Sequence, residues 1–295
     1  SAGPNAIAVA TSSTGNFAYI ANSYGSDFNT CKAKPYNPPT QSNCAQLQVI
    51  DITNPVSPST VLNFLIPTTS PSSVTGSGGG AIGKSILYKD GYIYLGLSKT
   101  STGPEFNIID VHERPMNPRW VGGYQTGNAV NAIYVKGSYA YLATPNSEEL
   151  TVLNISNPGN PVKVGGFDAT GGSGNGKSLS IVGDILYLGR TTGNKEFYSL
   201  DIKTPTIPTQ KFEQDAGSSV NDLLIRDYLA FLVTTSGKLQ IWNVSNPSSI
   251  TPWTENENVS EFINLASGSA NSLDCENNTL YAGSQNGIIS VITPN

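Results

Sequence analysis

Charge is scarce in this chain. Lys, Arg, Asp and Glu make up 13% of its 295 residues, the formal net charge is −5 and the pI lies near 4.9. A nucleic-acid partner calls for a basic face that this balance does not supply, and attraction to an anionic membrane surface is excluded on the same ground. Long apolar runs are missing: none approaches the ~20 residues of a membrane-spanning helix, so no membrane insertion by this segment is expected. Helical periodicity is missing as well. Histidine occurs once, at His112, which leaves no second imidazole for a metal cluster or a Ser-His-Asp set. No targeting segment precedes Ser1, and the chain reads as a mature or trimmed ectodomain.

Cysteine is used three times. Cys31 and Cys44 share one irregular polar stretch, TCKAKPYNPPTQSNCA, and are expected to close a disulfide loop of about a dozen residues, which implies an oxidising compartment. Cys275 falls in an apolar strand pattern and reads as a buried thiol. Zinc is a poor alternative, because the spacing is wrong and imidazole is lacking.

Gly (30) and Pro (19) are plentiful, as a fold of short strands and many turns requires. An apolar stretch ending in Asp or Asn, followed by a Pro-rich turn, returns as LQVIDITNP (47–55), FNIIDVHERP (106–115), LTVLNISNP (150–158), FYSLDIKTP (197–205) and LQIWNVSNP (239–247), with IISVITPN (288–295) as a degenerate last copy. Upstream of each lies a second element with an aromatic residue at Tyr19, Tyr94, Tyr141, Tyr187, Phe231 and Tyr281. A third element opens each unit, beginning at Asn5, Lys84, Asn131, Lys177, Asn221 and Asn271. From Lys84 onward ten positions separate this first residue from the aromatic in every copy. Stretches such as PRWVGGYQT and PVKVGGFDA supply a fourth strand.

Successive aromatics lie 75, 47, 46, 44 and 50 residues apart. The long first interval holds two insertions, at about 22–46 and 67–80. Period-two alternation at about four strands per ~45 residues is the spacing of propeller blades. The expected fold is therefore all-β, a six-bladed β-propeller of about four antiparallel strands per blade, forming one domain over residues 1–295. The sixth unit stops after its third strand. Either that blade has three strands, or its fourth comes from chain outside this segment.

The LQVIDITNP and LTVLNISNP copies resemble the LVIVD repeat, which forms propellers in bacterial and archaeal surface proteins. The alternating GKS and VN starts are similar to propellers joined to pilin-type segments. The resemblance covers the chain outside its two insertions, and it implies extracellular display and little known chemistry.

First strands line the channel of a propeller, so Asn5, Lys84, Asn131, Lys177, Asn221 and Asn271 are expected to converge at one mouth. Four amides and two ammonium groups form a donor-rich ring suited to an anion, a sugar or a carboxylate side chain. The alternative is that they satisfy strand ends and channel water. Asp222 and Asp274 occur nearby, each in a single blade, so neither a metal site nor a cofactor is expected. His112 reads as a surface turn residue. The strand-two aromatics read as packing between blades rather than as sugar platforms, and the third-strand Asp/Asn as turn-formers. Sequons at Asn154, Asn243, Asn258 and Asn277 are possible glycan acceptors, although two belong to the repeat itself. The cysteine loop, with Tyr24, Phe28 and Tyr36, is a second recognition candidate.

The functional expectation is an extracellular or cell-surface recognition and assembly module without catalytic activity, adhesin-like or pilus-associated, meeting a protein or glycan partner. A channel-based hydrolase or lyase is one alternative. A structural subunit that self-associates into a filament is the other.

Overall fold

Each apolar alternation in the repeat becomes a strand. The computed structural model describes residues 3–12, 15–23, 46–64, 66, 82–100, 103–113, 116–169, 174–191, 193–253, 262–265, 269–284 and 286–293. The first sheet is β1 (Gly3–Ser12), β2 (Gly15–Ser23), β3 (Leu47–Asp51) and β4 (Ser59–Phe64). The second is β5 (Gly83–Lys89), β6 (Tyr92–Leu97), β7 (Phe106–Asp110) and β8 (Arg119–Tyr124). The third is β9 (Ala132–Lys136), β10 (Tyr139–Ala143), β11 (Leu150–Asn154) and β12 (Val162–Phe167). The fourth is β13 (Gly176–Val182), β14 (Ile185–Arg190), β15 (Phe197–Asp201) and β16 (Thr209–Gln214). In the fifth, β17 (Val220–Arg226), β18 (Leu229–Thr234) and β19 (Lys238–Asn243) are followed by two short pieces, β20 (Thr251–Pro252) and β21 (Phe262–Asn264), both paired with β19. The sixth has three strands among the described residues, β22 (Ala270–Glu276), β23 (Thr279–Ser284) and β24 (Ile289–Ile292). These are the blades of a six-bladed β-propeller.

The chain divides into two compact units, Ser1–Thr144 with Leu153–Lys163, and Pro145–Val152 with Val164–Asn295. Each is built by one packing rule: third-strand side chains of a blade bury themselves on the first two strands of the next. In the first unit, Leu47 and Val49 lie with Ile93 and Leu95, and Phe106 and Ile108 lie with Ala140 and Leu142. In the second, Phe197 lies with Leu223 and Leu232, and Leu239 with Leu280 and Ala282. The strand-two aromatics follow the same logic. Tyr19, Tyr94, Tyr141 and Tyr187 are buried and Phe231 and Tyr281 half-buried, with Tyr94 stacked on Phe106 and Tyr187 on Phe197. Burial, with the neighbouring Tyr92 and Asp90, pushes the Tyr94 hydroxyl up to about 12.

The turns after the third strands are built as the repeat predicts. Asp51, Asp110, Asn154, Asp201 and Asn243 each accept, through Oδ1, the backbone N–H two residues on, at 2.8–3.1 Å. The paired glycines of the fourth strands mark close approach: a Cβ at Gly122 would lie 2.3 Å from the Pro158 carbonyl oxygen, and one at Gly165 would lie 2.7 Å from that of Thr206.

Cys31, Cys44 and most of both insertions lie outside the described residues. Cys275 carries a free thiol but is half-buried rather than buried. It packs on the core between the fifth and sixth blades, one residue from the exposed end of β22, where that core gives way to solvent.

Candidate functional site

Five of the six strand-start residues share a backbone feature that the sequence does not announce. The pairing of first and second strands slips at Asn5, between Pro4 and Ala6, and in the same way at Lys84, Lys177, Asn221 and Asn271. Each of these five is the extra residue of a β-bulge, outside the ladder. Asn131 sits one place before β9, its N–H donating to the Ala143 carbonyl at 2.9 Å. Lys84 and Asn131 belong to the first unit, and Lys177, Asn221 and Asn271 to three successive blades of the second. Lys84 and Lys177 are half-buried and Asn271 is exposed. Asn221 is different. Its buried amide donates to the Ala270 carbonyl at 2.8 Å and reaches Ser269 Oγ at 3.2 Å and Asn271 Oδ1 at 3.4 Å, joining the fifth blade to the sixth.

Of the next residues along these strands, sequence reasoning named only Asp222. Ser85 and Ser178 point their hydroxyls at the carbonyls of Val130 and Val220 in the following blade, at 2.8 and 3.5 Å. In the fifth blade this place is taken by Asp222. Its Oδ1 accepts the N–H of Leu223 at 2.9 Å and its Oδ2 that of Leu273 in the next blade at 2.8 Å. Desolvation outweighs these bonds, and together with the nearby Asp274 it raises the carboxyl pKa to about 6 against the pull of Lys177. Within the second unit, Asp222 thus sets a carboxyl group within electrostatic reach of Lys177. The signal was legible in KSILY, KSLSI, NDLLI and NSLDC, where the second letter reads Ser, Ser, Asp, Ser.

A second series was also missed. Gln46, Glu105, Glu149 and Glu196 stand just before the third strands of blades one to four, and all are buried. They accept the N–H groups of Ile66, Thr126, Ala169 and Ala216 at 2.8–3.1 Å, tying third-strand starts to fourth-strand ends. Glu149 also faces the buried Arg190, whose Nη1 donates to Tyr198 Oη at 2.7 Å. Burial is the main cause of a raised Glu149 pKa, with its hydrogen bonds and Arg190 opposing.

His112 is a surface residue of the second blade's turn. Its Nδ1 lies 3.0 Å from Asp110 Oδ1, and Arg119 Nη2 donates to Asp110 Oδ2 at 3.3 Å. Its ring meets Tyr92 edge-on at 4.6 Å and covers Gly91, where φ is +74° and a Cβ would lie 2.3 Å from the imidazole. Asp110, His112, Glu113, Asn117, Pro118 and Arg119 line an open cavity of about 730 Å³. Among the described residues no group of three or more His, Cys, Asp or Glu is placed to hold a metal ion.

The model of the LVIVD repeat matches residues 43–65 and 127–169, which include the first blade's third and fourth strands and all four strands of the third blade. No curated protein sequence matches the chain. Among solved structures, the periplasmic gluconolactonase PpgL of Pseudomonas aeruginosa is similar at 11% identity and a TM-score of 0.63, over 88% of this chain and 70% of that one. The computationally designed Ika8 protein is similar at 11% identity and TM-score 0.55, over 84% and 77%. Saccharomyces cerevisiae Sqt1 is similar at 10% identity and TM-score 0.55, over 84% and 65%. At such identities the likeness is one of fold, and the repeat is the more specific finding: the chain is a six-bladed β-propeller that carries LVIVD repeats over residues 43–65 and 127–169.

Proposed function

We propose that this propeller is an extracellular, non-catalytic recognition module that binds an acidic glycan through its first-strand bulges. The observation behind this reading is that one blade after another presents a residue outside the ladder at the same backbone position. A bulge residue is released from strand pairing, so its identity is free to vary while the scaffold stays constant. Here that variation yields Lys84 and Lys177 among asparagines. Asp222 beside Lys177 adds an acceptor for hydroxyl groups, and so favours a sugar acid over a bare anion. The carboxylates of the buried Gln/Glu series support the scaffold, since each bonds loop amides.

The test is the pair of substitutions Lys84→Ala and Lys177→Ala, measured on an array of acidic and neutral glycans. Each charge-assisted hydrogen bond contributes roughly 1.5–3 kcal/mol, so loss of a lysine that meets the glycan should weaken binding to acidic glycans by at least about tenfold while the melting temperature holds. Equal binding of both proteins to every glycan sinks the reading.

A further inference from the structure

The hairpin between first and second strands meets the third-strand turn in the same way in five blades. The carbonyls of Asn16, Gly91, Ser138, Asp184 and Tyr228 each accept the N–H of the residue after the capping Asp or Asn, at 2.8–2.9 Å. That hairpin place is small or polar in four blades and a tyrosine in the fifth. A second place changes in the same blade. The third residue counted from the start of the fourth strand is Val61, Val121, Val164 or Lys211 in the first four blades and Trp253 in the fifth. The count begins at the residue facing the cap, Thr251 opposite Asn243 as Ser59 lies opposite Asp51. The Trp253 N–H donates to the Ile241 carbonyl at 2.9 Å, which fixes its backbone beside β19.

The two exchanged side chains touch each other. The ring centroids of Tyr228 and Trp253 lie 5.8 Å apart, with the ring planes inclined by 53°. Trp253 is half-buried, whereas Tyr228 is 49% exposed, and no other Phe, Tyr or Trp among the described residues is an exposed one. Polar groups stand beside the pair. Asp227 precedes Tyr228 in the hairpin and is exposed. Asn243 pairs with Leu229 on one side and Thr251 on the other, so the exposed Thr251 lies in the row that adjoins the hairpin.

We propose that Tyr228 and Trp253 form a platform for a neutral sugar, the terminal hexopyranose of a glycan. Rings 5.8 Å apart are already in contact, which leaves no gap between them to enclose a cationic head group. What stays open is a ring face, and the apolar C–H face of a pyranose packs on such a surface while its hydroxyls remain wet. The inclination of the two planes makes a shallow corner, which suits one ring at a chain end better than a flat track of several. The Asp227 carboxylate can accept sugar hydroxyls and repels a sugar acid. The fifth blade therefore differs from its siblings by two exchanges that together build one surface. The inference is independent of the acidic-glycan reading, because Lys84 and Lys177 take no part in it.

Saturation-transfer NMR on the full 295-residue chain tests it, with lactose, cellobiose and choline as probes. The variants are Tyr228→Ser and Trp253→Val, which install residues that other blades carry at the same places, Ser138 and Val61. The wild type should show transfer to lactose or cellobiose, strongest at the protons of the terminal ring. Each variant should weaken that binding about tenfold, the scale of one aromatic contact, while its melting temperature holds. Tyr228→Phe keeps the ring face and should bind as the wild type does, so it decides against Tyr228→Ser should Trp253→Val lose its strand signal in circular dichroism. The Lys84→Ala, Lys177→Ala double variant should bind both sugars unchanged, and loss of binding there assigns them to the bulges and overturns the inference. It is overturned too by a wild type that shows no transfer to either sugar, by binding that survives in both aromatic variants, and by transfer to choline alone. Aromatic variants that melt many degrees lower, beside a wild type that binds neither sugar, reduce the pair to a packing contact.

Discussion

Asp222 occupies a place where the other blades have serine (Ser85, Ser178, Ser272) or alanine (Ala6, Ala132), and the exchange makes one residue sensitive to pH. Ser85 and Ser178 are donors, each reaching a carbonyl of the next blade, whereas the Asp222 carboxylate is an acceptor holding the N–H groups of Leu223 and Leu273. Desolvation is the largest influence on it, and the folded pKa of about 6 stands above the ordinary value of 3.8. A carboxyl with a raised folded pKa holds its proton more tightly in the folded state. Its contribution to stability is therefore complete below pH 4 and is lost as the pH rises through 6. The shift corresponds to at most about 3 kcal/mol. Denaturant titrations at pH 4 and 7 should show that decline in the wild type and a smaller one in Asp222→Asn, whose side chain does not titrate. Equal pH slopes for the two proteins would remove Asp222 from the account.

Among elements, the buried series before the third strands does for loops what the ladders do for strands. Gln46 performs this task with an uncharged amide, its Oε1 accepting the Ile66 N–H at 3.1 Å. Glu149 performs it as an acid and requires Arg190, itself wrapped by Tyr198 and closed over by Gly174. Removing one member of a buried pair leaves an uncompensated charge and costs roughly 3–5 kcal/mol. Arg190→Met should therefore be strongly destabilised in equilibrium unfolding. Adding Glu149→Gln should recover most of the loss, because glutamine keeps the acceptor for the Ala169 N–H and the first blade already works that way. If the second substitution deepens the loss, the ion pair holds the loops by itself and the comparison with Gln46 fails. These elements also mark how far sequence reading reaches. Strand order, the turn-capping Asp51 and Asn154 and the buried Tyr19 and Tyr141 follow from period and spacing, because burial of one strand face imposes its alternation on the chain. The bulges at Lys84 and Lys177 do not, since a bulge leaves residue types unchanged and alters only the pairing. Asn221 was legible as polar, but its choice of the Ala270 carbonyl depends on a neighbouring blade some fifty positions away.

For the whole molecule the question is compartment, and the cysteines bear on it most directly. A propeller with a net charge of −5 and few charged side chains has the solubility of an acidic protein but no feature that names its surroundings. Cys31 and Cys44, fourteen positions end to end, would gain about 3 kcal/mol from closing their loop, through the entropy removed from the unfolded chain. Cytosolic thiol buffers would keep them reduced, whereas an oxidising exterior would not. Cys275 is the internal control. Its side chain packs on the core between two blades with Leu239, Leu273 and Leu280, which limits the approach of a second thiol. Protein recovered from the exterior of its own cells and digested without reduction should give one linked peptide pair containing Cys31 and Cys44, with Cys275 alkylated only after unfolding. Reduction should lower the melting temperature by a few degrees, about 3 kcal/mol being spread over a large unfolding entropy. Three free thiols in that material, or a link from Cys275 to either partner, would contradict the pairing and with it the extracellular assignment on which the recognition reading stands.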